Sequence, residues 1–187
     1  VACFGGGQAL AGLLGGRLLD AAAARFPDHG PPCLCMTSVG VGVPLFALVF
    51  HGLVDAGVDV AGTAPGGTLA TFCATFAVIG STIAWSGIAN NKIFGDIVPP
   101  RIYTYIFALD RCLEGAFGAL GTPAVGLVTD RLFRYDSSSA QRGLCSRPDA
   151  HSLGNGIFSV AATMWALTFL FYCLLHRTYP RDRRLAA

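Results

Sequence analysis

Long apolar runs without charged residues, separated by short polar connectors, form the main pattern of this chain. The runs are continuous, whereas the strands of a membrane β-barrel would alternate apolar and polar residues. A helix needs about 20 apolar residues to cross the ~30 Å hydrocarbon core of a bilayer. The pattern therefore predicts an all-α, polytopic transmembrane helical bundle with spans at about residues 3–19, 33–54, 67–91, 102–130 and 156–175. The first span is short, and we expect it to be truncated at its start.

The composition supports a membrane environment. Apolar residues make up 53% of the chain and charged residues 13%, whereas soluble domains carry about 25% charge. The 24 glycines are typical of helices that pack closely in lipid. A net charge of +2 without a basic stripe does not indicate nucleic-acid binding. We therefore expect a lipid bilayer, and no nucleic acid, among the partners.

Known catalytic and metal-binding motifs are absent from the sequence. Cys33 and Cys35 form a C-x-C pair, but no second Cys or His pair completes a zinc site. Signatures of nucleotide-binding loops, zinc proteases and serine hydrolases are also missing. The sequence therefore predicts no enzyme activity, no metal and no cofactor.

The distribution of Lys and Arg predicts the orientation, because cytosolic loops carry an excess of these residues. One side of the predicted bundle has Arg17, Arg25, Lys92, Arg101, Arg177, Arg181, Arg183 and Arg184, and the other has Arg131, Arg134, Arg142 and Arg147. This places the connector at 20–32 and the basic tail at 177–187 in the cytosol. The chain begins with Val1 rather than Met, and we expect it to be a fragment of a longer protein.

A charged connector follows the first predicted span. Gly16 comes shortly before Asp20, which we expect at the membrane surface, and Arg25 follows on a short loop. Gly16 would let two helices approach closely. The acid and the base could pair with each other or with a neighbouring helix end, and so hold one conformation closed.

This connector resembles the signature loop of major facilitator superfamily transporters, although four alanines replace the usual basic cluster. Other segments resemble a plant and algal branch of that superfamily, in the same order and at about the same spacing; they lie at 25–30, 90–94, 97–99, 108–111 and 178–183. The resemblance implies that the five spans are the eighth to twelfth of twelve. They would belong to a C-terminal six-helix half, and the N-terminal half plus one further helix would be missing.

Asp110, Arg111 and Glu114 interrupt the apolar fourth span, with spacings that bring them to one face. Ionisable residues are costly in lipid and usually face the interior of a bundle. They could line a solute pathway or gate, with one carboxylate carrying a coupling proton, or form a structural ion pair that closes the cytosolic helix ends. Asn90 and Asn91 end the predicted third span, where they could cap the helix or reach the same pathway.

Gly121 and Pro123 lie farther along the fourth span and predict a hinge or a packing feature, because Pro123 removes an internal hydrogen bond. The surrounding segment is similar to a Gly-Pro motif of superfamily antiporters, but it lies in a different helix.

The resemblance implies secondary active transport of small solutes by alternating access around a site near the bilayer midplane. The fragment alone would not transport, because half of the site would be missing. The alternative is a non-transporting membrane protein that binds partner helices, and an intramembrane enzyme is a third class. The solute, the coupling ion and the membrane are not indicated, so sugar phosphates, organic anions, lipids and amines stay open.

Overall fold

The computed structural model describes residues 2–53, 66–135 and 147–186, with the backbone alone at 66–68 and 147. These residues form five helices and no strand: α1 (Ala2–Arg25), α2 (Gly30–Ala47, continued by a π-helical segment at Leu48–Leu53), α3 (Gly66–Ile97), α4 (Tyr103–Leu132) and α5 (Arg147–Ala186). The predicted all-α bundle is confirmed. Val54 and the connector at 55–65 lie outside the described residues, as does most of the connector between α4 and α5.

Proline positions explain several helix boundaries. Pro31 and Pro32 lie in the first turn of α2, where their missing N–H groups cost little. Pro44 lies inside α2 and removes one internal hydrogen bond, and the π-helical segment follows one turn later. Pro99 and Pro100 separate α3 from α4. Each break therefore has a local cause in the sequence.

Helix bounds differ from the prediction mainly because the helices are longer. α1 continues to Arg25 rather than ending near residue 19, since the run of alanines at 21–24 consists of the strongest helix former. α3 continues past residue 91 to Ile97. α5 includes the predicted tail and reaches Ala186. Several charged residues expected in loops, among them Arg25, Lys92 and Asp96, therefore lie on helices that extend beyond the apolar runs.

Four of the helices are long and apolar enough to cross a membrane: Gly30–Leu53, Leu69–Ile97, Tyr103–Leu132 and Pro148–Ala186. α1 is not one of them, although the sequence predicted a span there. Gln8, Arg17 and several glycines lower the hydropathy of this helix.

Successive helices alternate in direction, so that α1, α3 and α5 run parallel to one another and antiparallel to α2 and α4. α1 and α3 touch backbone to backbone, because a Cβ added at Gly7 would overlap Ala77 and one at Gly80 would overlap Phe4. Farther along, Gly15 lies against Trp85 and Ile88. The two helices therefore stay in contact over several turns.

A core forms where α2, α3 and α5 meet. Its buried members include Cys35, Ala89, Ile93 and Tyr179. α4 is different, since it is exposed along most of its length and packs chiefly against α5 at Thr129, which contacts Gly156. Most of the apolar surface of α4 is therefore left uncovered by the described part of the chain.

Candidate functional site

An open cleft of about 460 Å³ lies between the helices, toward the end where α3 finishes and α4 starts. Residues of α1, α3, α4 and α5 contribute to it. Its polar lining consists of Gln8, Ser86, Asn90, Asp110, Arg111, Glu114, Thr168 and Tyr172. The structure thus brings Asn90 together with the charged residues of α4, as the pathway interpretation requires.

The charged residues of α4 form a triad around Arg111. Arg111 Nη2 donates to Asp110 Oδ2 at 2.7 Å, and Nη1 lies 2.5 Å from Glu114 Oε2. The guanidinium also lies 5.2 Å from the centre of the Phe107 ring, within cation–π range. Within the described residues no ion pair joins this triad to another helix. Nothing there supports the interpretation that the triad closes neighbouring helix ends.

Asn90 connects three helices. Its Oδ1 accepts a hydrogen bond from the Tyr172 hydroxyl at 3.3 Å and a weaker one from the Cys35 thiol at 3.6 Å. The capping interpretation of Asn90 and Asn91 is wrong, because α3 continues to Ile97. Asn91 is exposed and does not line the cleft. Only one of the two asparagines therefore belongs to the site.

The predicted gating residues Gly16, Asp20 and Arg25 do not reach the cleft. All three lie on α1, where Asp20 and Arg25 are exposed. Neither side chain has a hydrogen bond or ion pair to another described residue, and Arg25 lies 5.9 Å from the centre of the Phe26 ring. The expected close approach at Gly16 is wrong within the described part of the chain, since no atom there lies within 4 Å of a Cβ added at Gly16, and Gly15 makes such a contact instead.

Other polar groups hold the helix ends together near these residues. Lys92 Nζ lies 2.8 Å from Asp96 Oδ1, and the buried Tyr179 donates to Asp96 Oδ2 at 2.6 Å. Arg183 Nη1 lies 3.3 Å from Asp28 Oδ1. These contacts join the connector between α1 and α2 and the ends of α3 and α5 at one end of the bundle. They take the place that the sequence assigned to Asp20 and Arg25.

Gly121 and Pro123 lie within a continuous α4. A Cβ at Gly121 would meet nothing within 4 Å, and Pro123 is exposed. Neither residue packs against another described helix. A role in packing is therefore not supported within this part of the chain, and the hinge stays a prediction.

Sequence reasoning did not single out Thr168 and Tyr172, two of the polar residues that line the cleft. Both lie within the uninterrupted apolar run of α5, where aromatic and hydroxyl side chains usually pack or bond to their own helix. Thr168 does bond the Met164 carbonyl, at 2.8 Å. No local signal distinguishes such residues from packing residues.

Comparisons with family models, curated proteins and solved structures gave no match. The fold nevertheless defines a class. Four described helices have the length and composition of membrane spans, and the chain is an integral membrane protein with transmembrane helices.

Proposed function

We propose that this chain is the C-terminal part of a secondary active transporter of the major facilitator type, which moves small solutes by alternating access. The observation that supports the proposal is the cleft, which is polar and charged inside a bundle with an apolar exterior. Polar groups in membrane helices usually mark a solute or ion pathway. The resemblance of the sequence to that superfamily points to the same class.

The exposed apolar surface of α4 supports the proposal that further helices cover the open side of the cleft. Leu109, Leu113, Phe117 and Leu120 are all exposed on this helix, and Phe117 is 72% exposed. In transporters of this kind the solute site lies between two helical halves that rock against each other. An N-terminal half would cover α4 and close the cleft from the open side. The same surface would also suit partner helices of a non-transporting protein, so the experiment must separate these two functions.

Accessibility of the cleft from both sides of the membrane tests the proposal without knowledge of the solute. We suggest Ser86→Cys in a full-length protein from which the native cysteines, seven of them in this chain, have been removed. Ser86 lines the cleft, and the substitution preserves its size. Ser81→Cys is the matched control, because Ser81 lies on the same helix but does not line the cleft.

Alternating access predicts that a membrane-impermeant thiol reagent labels the Ser86→Cys variant from either side of the membrane. When the protein is locked in the conformation that opens to one side, labelling from the opposite side should be abolished. The Ser81→Cys variant should not show this exchange. Labelling of the Ser86→Cys variant from one side only would contradict transport and favour the non-transporting alternative.

A further inference from the structure

Two sulfur side chains and one imidazole face one another where α2 begins. Cys33 and Met36 come from the first turns of α2, and His176 comes from α5. His176 Nε2 lies 3.1 Å from the Met36 Sδ and 3.8 Å from the Cys33 Sγ. None of these atoms belongs to the cleft described above.

Helix geometry explains the cluster. Residues three apart share a face of a helix, so Cys33 and Met36 both point toward α5. Cys35 points the other way and contacts the Ser86 carbonyl and Asn90 on α3. The C-x-C pair is therefore divided between two environments, and the antiparallel α5 supplies His176 beside Cys33.

The donors line an open pocket of about 400 Å³, whose other walls include Val41 and Phe169. With zinc as the yardstick, bonds of about 2.3 Å to sulfur and 2.0–2.1 Å to nitrogen at a tetrahedral angle place a sulfur and a nitrogen donor ~3.5 Å apart. The observed separations of 3.1 and 3.8 Å lie on either side of that value. Each sulfur therefore lies at a distance from His176 Nε2 that one bound ion could bridge with small side-chain adjustments.

His29 is placed to orient His176. The Nδ1 atoms of the two rings lie 3.1 Å apart. If His176 Nδ1–H donates to His29 Nδ1, then His176 Nε2 carries no proton and its lone pair points toward the two sulfurs. A ligating histidine commonly donates its second N–H in this way, which fixes its tautomer and orientation.

We propose that Cys33, Met36 and His176 form a binding site for a soft monovalent metal ion, with Cu(I) as the best fit, and that His29 is a positioning residue. Thiolate and thioether ligands select Cu(I), whereas zinc prefers four ligands from Cys, His and carboxylates. The described residues contain no group of three His, Cys, Asp or Glu side chains suited to a metal. The thioether of Met36 is therefore the ligand that favours Cu(I) over zinc at this site.

The test is anaerobic competition for Cu(I) between the purified chain in detergent and the chelator bicinchoninate. We expect one tight site per chain, and Cys33→Ser, Met36→Leu and His176→Gln should each lower the affinity on the order of 100-fold or more, since even outer-shell changes reach that range. Cys112→Ser and Met164→Leu are matched controls on exposed residues, and they should bind as the unchanged chain does. Helical circular dichroism checks that each variant folds.

Two further variants sharpen the result. Cys35→Ser should keep the affinity, so a loss there would overturn the proposal in favour of chelation by the C-x-C pair. His29→Ala should lower the affinity about 10–100-fold, while X-ray absorption still shows two sulfur ligands and one nitrogen ligand. The site would also be overturned if the three ligand variants bound Cu(I) as tightly as the unchanged chain. An X-ray absorption spectrum without a nitrogen ligand would overturn it as well.

Discussion

Asn90 shows how one side chain can organise the cleft. Its carbonyl oxygen accepts from Tyr172 on α5 and from Cys35 on α2, while Asn90 itself lies on α3 beside the charged residues of α4. Buried or half-buried amides of this kind fix the relative positions of the helices that bond to them. A solute that bound to Asn90 would therefore affect the positions of α2, α3 and α5 together.

If the proposed transport is coupled to protons, Glu114 is the residue that we expect to carry the coupling proton. Glu114 lines the cleft, and its side chain is 65% exposed, more than that of Asp110. Arg111 would keep Asp110 as a partner if Glu114 moved away from it. In the full-length protein we expect Glu114→Gln to reduce solute uptake driven by a proton gradient to background. Solute exchange at equal pH should persist, because it needs no net proton transfer. Both rates can be measured in proteoliposomes.

Asp130→Asn is the control for that experiment, since Asp130 is an exposed carboxylate on the same helix but outside the cleft. It should leave both rates unchanged. Normal gradient-driven uptake by the Glu114 variant would exclude Glu114 as the proton carrier.

The contact between α1 and α3 depends on the absence of side chains at particular glycines. A Cβ at Gly80 would overlap the Phe4 backbone, whereas one at Gly118 on α4 would meet nothing within 4 Å. We expect Gly80→Ala to lower the free energy of unfolding by about 1–3 kcal/mol through overpacking. Gly118→Ala should instead raise it by up to ~1 kcal/mol, because Ala favours the helix.

Unfolding of the purified chain by SDS in mixed micelles measures both effects. The two changes must have opposite signs. If Gly80→Ala raises the unfolding midpoint as Gly118→Ala is expected to do, the close backbone contact between α1 and α3 does not exist in the folded protein.

The existence of the helices was predictable, because the uncharged apolar runs are long enough to identify them. The residues at which the helices begin and end were not predictable. The alanines after Asp20 and the basic end of α5 carry no strong hydrophobic signal, although both are helical. Gly15 and Gly16 could not be distinguished either. Adjacent residues on a helix point about 100° apart, so only the position of α3 decides which of the two is packed.

In the whole molecule, one end of the bundle gathers the connector between α1 and α2 and the ends of α3 and α5. The contacts of Arg183 with Asp28 and of Tyr179 with Asp96 require these segments to lie on one side of the membrane. The excess of Lys and Arg predicts that this side is cytosolic. We therefore expect a glycosylation acceptor added after Ala187 to stay unmodified in microsomes.

An acceptor inserted at 136–146, between α4 and α5, should be modified in the same assay, since that connector joins the opposite helix ends. Modification of the C-terminal acceptor alone would reverse the predicted orientation. Modification of neither would show that α4 and α5 do not cross the membrane as a pair.

The candidate site was predictable in part. Asp110, Arg111 and Glu114 stood out because charge is rare within apolar runs, and the structure places them in the cleft with Asn90. Tyr172 could not be found, since its role depends on α5 packing beside α3. The site of Cys33, Met36 and His176 was missed for a similar reason, because its donors are far apart in the sequence.

The close contact between α1 and α3 has a consequence for biogenesis. α1 leaves the ribosome before α3, yet it is not among the helices apolar enough to partition into lipid by themselves. α3 offers it a backbone contact at Gly7 and Gly80 and a polar neighbourhood for Gln8 in the cleft. Stable insertion of α1 would then wait for the synthesis of α3, and the order of translation would differ from the order of membrane integration.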